Sequence, residues 1–180
     1  MRKAMLLGAL MTLALCLASG VALAATINGT NGADRLVGTP KSDTIQGFRG
    51  DDIIRGRGSG DTLRGYGGND FVGGGRGSDD MYGGGGADEM RGGPGDDKMY
   101  GGPGRDTLYG GDGNDTTDGQ GGGDTLVGGS GRDRIIAGTG SGHRVLARDG
   151  EQDLICVSPD SAGQIVTADN NDEFIFNNSC

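Results

Sequence analysis

A lone apolar side chain returns every ninth residue along most of this chain: Ile27, Leu36, Ile45, Ile54, Leu63, Val72, Met81, Met90, Met99, Leu108, Leu126 and Ile135, with Thr117 in the one polar place. A single inward position flanked by outward ones is the pattern of a very short strand, because successive side chains of a strand point to opposite faces. Glycine crowds the stretches between, so the pattern predicts an all-β chain of short strands joined by tight turns. A register that holds this long predicts a solenoid, in which each coil buries its apolar side chain against the next.

The register continues past the last strict repeat. Val145, Ile155, Ile165 and Phe174 extend it, separated by ten, ten and nine residues, with His143, Asp153, Gly163 and Asp172 in the places two residues ahead. Residues 137–180 are expected to form a degenerate continuation of the solenoid and its C-terminal cap. Solenoid ends expose unpaired strands. Phe174 and Phe176 are the expected cover at this end, and nothing comparable protects the other.

Two residues before each apolar position of the strict repeats stands an aspartate. Asp34, Asp43, Asp52, Asp61, Asp70, Asp79, Asp88, Asp97, Asp106, Asp115, Asp124 and Asp133 keep one phase without a slip. Five residues before each is a glycine, from Gly29 to Gly128, and position four of the unit is also glycine except at Lys41 and Ser59. The unit reads G-G-x-G-x-D-x-U-x, as in GGPGDDKMY from Gly92 to Tyr100. Glycine at fixed places signals either positive φ or close approach of the chain to something. Such turns aim several carbonyl oxygens at one point, and calcium takes about six to eight oxygens, carbonyl and carboxylate together. The twelve aspartates are therefore candidate calcium ligands.

These tandem units resemble the RTX, or hemolysin-type, calcium-binding repeat family over residues 29–136. The resemblance implies a parallel β-roll with two nonapeptides per coil and calcium held between stacked turns by backbone carbonyls and the repeat aspartates. One edge would carry Asp34, Asp52, Asp70, Asp88, Asp106 and Asp124, and the other Asp43, Asp61, Asp79, Asp97, Asp115 and Asp133. Six turns per edge leave five gaps, a ceiling of about ten Ca2+ ions. Lys41 and Ser59 fall on one edge and weaken its first sites, and Thr117 puts a hydroxyl into the interior stack.

Charge follows the ladder and not a generally acidic surface. The formal net charge is −9, from 16 basic and 25 acidic residues. Residues 1–24 read as a secretory signal peptide, with Arg2 and Lys3, an apolar run to Leu17, and Ala22-Leu23-Ala24 as the cleavage pattern. Its removal leaves 14 basic against 25 acidic residues, net −11. Without the twelve repeat aspartates the balance is 14 against 13. Nucleic acid is a poor partner for such a chain, and no other stretch is long and apolar enough to span a bilayer. The expected organisation is 1–24 signal peptide, 25–136 calcium-binding β-roll and 137–180 continuation and cap, in a protein exported outside the cell. Cys156 and Cys180 remain after cleavage and suggest one structural disulfide, free or intermolecular thiols being the alternative.

No catalytic constellation is visible: neither H-E-x-x-H nor G-x-S-x-G occurs, and His143 is the one histidine. The G-x-G-x-x-G matches are by-products of the glycine period. The expected function is that of a secreted calcium-binding protein, not an enzyme, with an extracellular structural or adhesive role. The alternative is a calcium-dependent surface-recognition module for glycans, cells or ice, or an accessory to an enzyme. End-to-end self-association through an uncovered end is a further expectation.

Overall fold

The computed structural model describes residues 23–147, 149–157 and 163–176. The predicted signal peptide, up to Ala22, and Cys180 lie outside the described residues. No helix occurs among them, and none is long and apolar enough to cross a membrane.

The strands are short and evenly spaced. They are β1 (Thr26–Asn28), β2 (Arg35–Val37), β3 (Thr44–Arg49), β4 (Ile53–Gly58), β5 (Thr62–Gly67) and β6 (Phe71–Arg76). Next come β7 (Asp80–Gly85), β8 (Glu89–Pro94), β9 (Lys98–Gly104), β10 (Thr107–Asp112), β11 (Thr116–Gly122) and β12 (Thr125–Ser130). Last are β13 (Arg134–Ile136), β14 (Arg144–Ala147), β15 (Leu154–Val157), β16 (Ile165–Ala168) and β17 (Glu173–Phe176). Odd-numbered strands form a 9-stranded sheet and even-numbered strands an 8-stranded one, each in sequential order. Every pairing is parallel, and Leu63 stands beside Met81 and Met81 beside Met99, 18 residues apart. Two nonapeptides therefore make one coil of a parallel β-roll, as the repeat implied.

The apolar column fills the space between the sheets. Ile45, Ile54, Leu63, Val72, Met81, Met90, Met99, Leu108, Leu126 and Ile135 have no exposed surface, and burying each contributes roughly 2 kcal/mol. Thr117 is equally buried, and its Oγ1 finds no hydrogen-bond partner among the described residues. Ile27 pairs with Ile45 as the register predicts.

The C-terminal coils correct the sequence reading by one residue. Val145 pairs with Val166 and not with Ile165, which is 61% exposed. The residue in the aspartate place of that coil is then Gln164 rather than Gly163, because the following Ile165 N–H bonds the His143 carbonyl as the residue after each repeat aspartate does one coil back. Ile155 and Val166 stand eleven residues apart along the chain, so nine-residue counting no longer applies between β15 and β16. Phe174 takes its expected place beside Ile155, and its ring stacks on Phe176 at 6.0 Å.

Candidate metal centre

The repeat aspartates line the two edges where the chain passes from one sheet to the other. From Asp52 to Asp133, each Oδ1 accepts a hydrogen bond from the main-chain N–H of the aspartate one coil back. From Asp34→Asp52 to Asp115→Asp133 these bonds measure 2.7 to 2.9 Å. The carboxylates thus tie coils together along each edge, in the two groups of six that the repeat implied.

The second oxygen behaves differently. Oδ2 of Asp52, Asp61, Asp70, Asp79, Asp88, Asp97, Asp106, Asp115, Asp124 and Asp133 is buried and has no hydrogen-bond partner among the described residues. Leaving a charged oxygen so is costly, by several kcal/mol for an ion without compensation. Burial is the largest influence on these carboxyls and raises Asp79 and Asp97 to about 7. It raises Asp61, Asp70, Asp88, Asp106, Asp115, Asp124 and Asp133 to about 6. The N–H bond from the previous coil opposes the shift, and carboxylates of neighbouring coils add to it for most of them.

Glycine at position one leaves the room in which that oxygen sits. A methyl built on Gly83 would stand 2.5 Å from Asp88 Oδ2 and 2.7 Å from the Gly101 carbonyl oxygen. The carboxylate oxygen and a carbonyl of the next coil therefore converge on the same small space. Position four serves the other purpose of glycine: Gly68 has φ 132° and Gly77 φ 112°, and Ser59 keeps the same sense at 65°. Ser59 thus preserves its turn, whereas Lys41 lies outside the positive-φ set. From Phe48 onward position two also takes positive φ, even where it carries Phe48, Arg57, Tyr66 or Gln120, a requirement that its variable side chains concealed in the sequence.

Two of the twelve aspartates stand apart. Asp34 Oδ2 accepts bonds from the Thr30 N–H and hydroxyl, and Asp43 Oδ2 accepts one from the Thr39 N–H. The threonine turns at the N-terminal end therefore satisfy locally the oxygen that later coils leave open. The sequence reading placed the weak turns at Lys41 and Ser59 and missed the threonines. It also missed a second ladder at position five, in which Asp51 accepts from Asn69 N–H, Asn69 from Ala87 N–H and Asp96 from Asn114 N–H, at 2.7 to 2.8 Å. Asp or Asn eighteen residues apart, Asp51 with Asn69 and Asp96 with Asn114, was its visible signal.

Beyond the strict repeats the cradle changes. Strand register places Ala137 where earlier coils have glycine at position one, and Ala147 likewise. His143, fully buried, replaces the aspartate: its Nδ1 accepts from Asp124 N–H at 3.2 Å and stands 3.4 Å from Asp124 Oδ2. Burial lowers the imidazole below its ordinary value, so this contact joins a neutral ring to the ladder and is not an ion pair. Asp153 keeps the aspartate pattern, with Oδ1 bonded to Asp133 N–H at 2.8 Å, Oδ2 buried without a partner, and its carboxyl raised to about 6 mainly by burial.

The donor chemistry fits a hard divalent cation: anionic and carbonyl oxygens, desolvated and convergent. No three His, Cys, Asp or Glu side chains come together among the described residues, so backbone carbonyls have to complete any shell, as calcium accepts and softer metals do not. No curated protein matches the chain. The family model of the RTX calcium-binding nonapeptide repeat (4 copies) matches at residues 28–63, 47–81, 56–90, 82–117 and 118–141. With most of its length in those repeats, the chain belongs to the RTX calcium-binding nonapeptide repeat family.

Proposed function

We propose that this calcium-binding β-roll protein is exported and folds as calcium enters the two aspartate edges, and that it serves a structural or adhesive role outside the cell. The observation that carries the reading is the series of ten aspartates whose buried Oδ2 lacks a protein partner among the described residues. Asp52 through Asp133 would hold the ions together with carbonyls of adjacent coils, and calcium would neutralise the charge that burial penalises. Asp34 and Asp43 would contribute least. About ten ions remains the ceiling.

Export rests on the basic, apolar and small-residue pattern of residues 1–24. Residues 25–136 would be the calcium-dependent part and 137–180 its cap, closed by a Cys156–Cys180 bridge. Cys156 is buried in β15. Delay of folding until the chain meets external calcium follows from carboxylates about 4.8 Å apart that repel until neutralised. Among the described residues the outermost strands β1, β2, β16 and β17 each pair on one side only, which supports end-to-end self-association as the route to an assembled structure.

Calorimetric titration of residues 25–180 tests this reading. Saturable binding of several calcium ions, absent with magnesium, is expected. A stoichiometry of one ion or none would overturn it. Mass measurement of the exported protein should give an N-terminus at Ala25.

A further inference from the structure

The two faces of the roll are not alike. In β2, β4, β6 and β8 the outward rows carry Arg35, Arg55, Arg57, Arg76 and Arg91, all exposed, against one acidic side chain, Glu89. Phe71 stands at the centre of this surface. Its ring lies over Gly73, where an added methyl would be 3.5 Å from Cε1. The guanidinium carbon of Arg55 from β4 is 5.8 Å from the ring centroid and that of Arg91 from β8 is 5.6 Å. Arg91 is also 5.6 Å from the centroid of Tyr109 in β10. Guanidinium, ring, guanidinium and ring thus alternate across four adjacent strands along the roll axis.

We propose that this arginine–aromatic face is a docking surface for an extended anionic polysaccharide, gripped by the guanidinium groups that Phe71 and Tyr109 hold in place. Aromatic faces attract guanidinium groups and restrict where these long side chains reach. The planar N–H forks then remain for carboxylate or sulfate oxygens, which they match bidentately. The row is straight and advances about 4.8 Å per coil, which suits a charged linear chain laid along the axis. Single-stranded nucleic acid instead needs open ring faces for base stacking, and the Phe71 ring is flanked by arginines from both neighbouring strands. Arg91 donates from Nε and Nη2 to Glu89 Oε1 at 2.9 and 2.6 Å. Glu89 is thus an internal stand-in for the ligand anion, displaced on docking.

The proposal rests on the calcium-folded roll, which sets the spacing of the arginines and cancels the opposing charge of the aspartate edges. The experiment is binding of residues 25–180 to dextran sulfate in saturating calcium, with neutral dextran and oligothymidylate as comparisons and a circular-dichroism spectrum of every sample. Dextran sulfate alone should bind. Arg55→Ala with Arg91→Ala should weaken it by about tenfold or more, Glu89→Gln should tighten it several-fold, and Arg64→Ala on the opposite sheet should change it by less than about twofold. Unchanged affinity in the double variant, no gain in Glu89→Gln, or an equal loss in Arg64→Ala overturns the assignment of this face. Neutral dextran or oligothymidylate binding as tightly as dextran sulfate overturns the anionic-polysaccharide class. A full β spectrum without binding rejects the docking surface alone. No β spectrum in calcium rejects the calcium-folded roll, and the surface with it.

Discussion

The main-chain N–H of Asp88 donates to Oδ1 of Asp106, 2.9 Å away and one coil ahead, while Oδ2 of the same Asp106 is buried with no protein partner among the described residues. One oxygen ties coils and the other is the one proposed to meet a cation. The two roles separate by substitution. Asp106→Asn keeps an acceptor for the N–H but loses the charge, and Asp106→Ala loses both. Both should raise the calcium concentration needed for folding, with the alanine variant losing roughly 1 kcal/mol more for the missing hydrogen bond. Asp34→Asn should shift the midpoint least, since Thr30 already satisfies its oxygen. Calcium titration followed by far-ultraviolet circular dichroism orders the three. Equal shifts for Asp34→Asn and Asp106→Asn would contradict the distinction.

Gly83→Ala should be more damaging than its single methyl suggests. The new carbon would press on Asp88 Oδ2 and the Gly101 carbonyl together, and overpacking of this kind costs typically 1–3 kcal/mol, roughly. The expected result is a higher calcium midpoint and a lower Tm in saturating calcium. An unchanged Tm would mean that the cradle is looser than the geometry requires.

Thr117→Val should stabilise the roll. The hydroxyl sits between Met99 and Ile135 in the inner column and has no partner among the described residues. Valine keeps the shape and removes an unmet polar group that costs about 1–3 kcal/mol. Thermal denaturation in calcium should show a higher Tm, and a lower one would reveal a hydrogen bond to the hydroxyl.

Acidity should oppose calcium. Burial holds the ladder carboxyls from Asp61 to Asp133 at about 6 or 7, against an ordinary 3.8. The metal-free folded state thus binds protons more tightly than the unfolded chain. Stability from this source is fully present below 3.8 and is lost as pH rises through 6 to 7. In chelator, β content should be highest near pH 4 and fall toward neutrality. Calcium displaces the same protons from the folded roll, so its affinity for the roll that acid has already folded should fall as pH is lowered from about 5.5 to about 4. An affinity insensitive to pH over that range would rule out these carboxyls as the binding groups.

How far the sequence could be read depended on whether a position has one physical job or two. The inner column was legible because strand geometry makes burial periodic, and the edges because the aspartate phase never slips. Glycine at positions one and four was visible, but its two reasons were not separable until Gly83 was seen beside a carboxylate and Gly68 at positive φ. Position two stayed hidden because Phe48, Arg57, Tyr66 and Gln120 occupy the same backbone shape that glycine takes elsewhere. The exchange of Ile165 for Val166 was illegible to counting, since the eleven-residue step from Ile155 leaves two adjacent β-branched residues equally good candidates for the core.

A circular-dichroism titration of residues 25–180 with calcium, starting in chelator and with magnesium as control, tests the central claim most directly. The aspartate ladder predicts a largely disordered spectrum that turns to β steeply and only with calcium. Full β content in chelator at neutral pH, or a flat response to calcium, would contradict it.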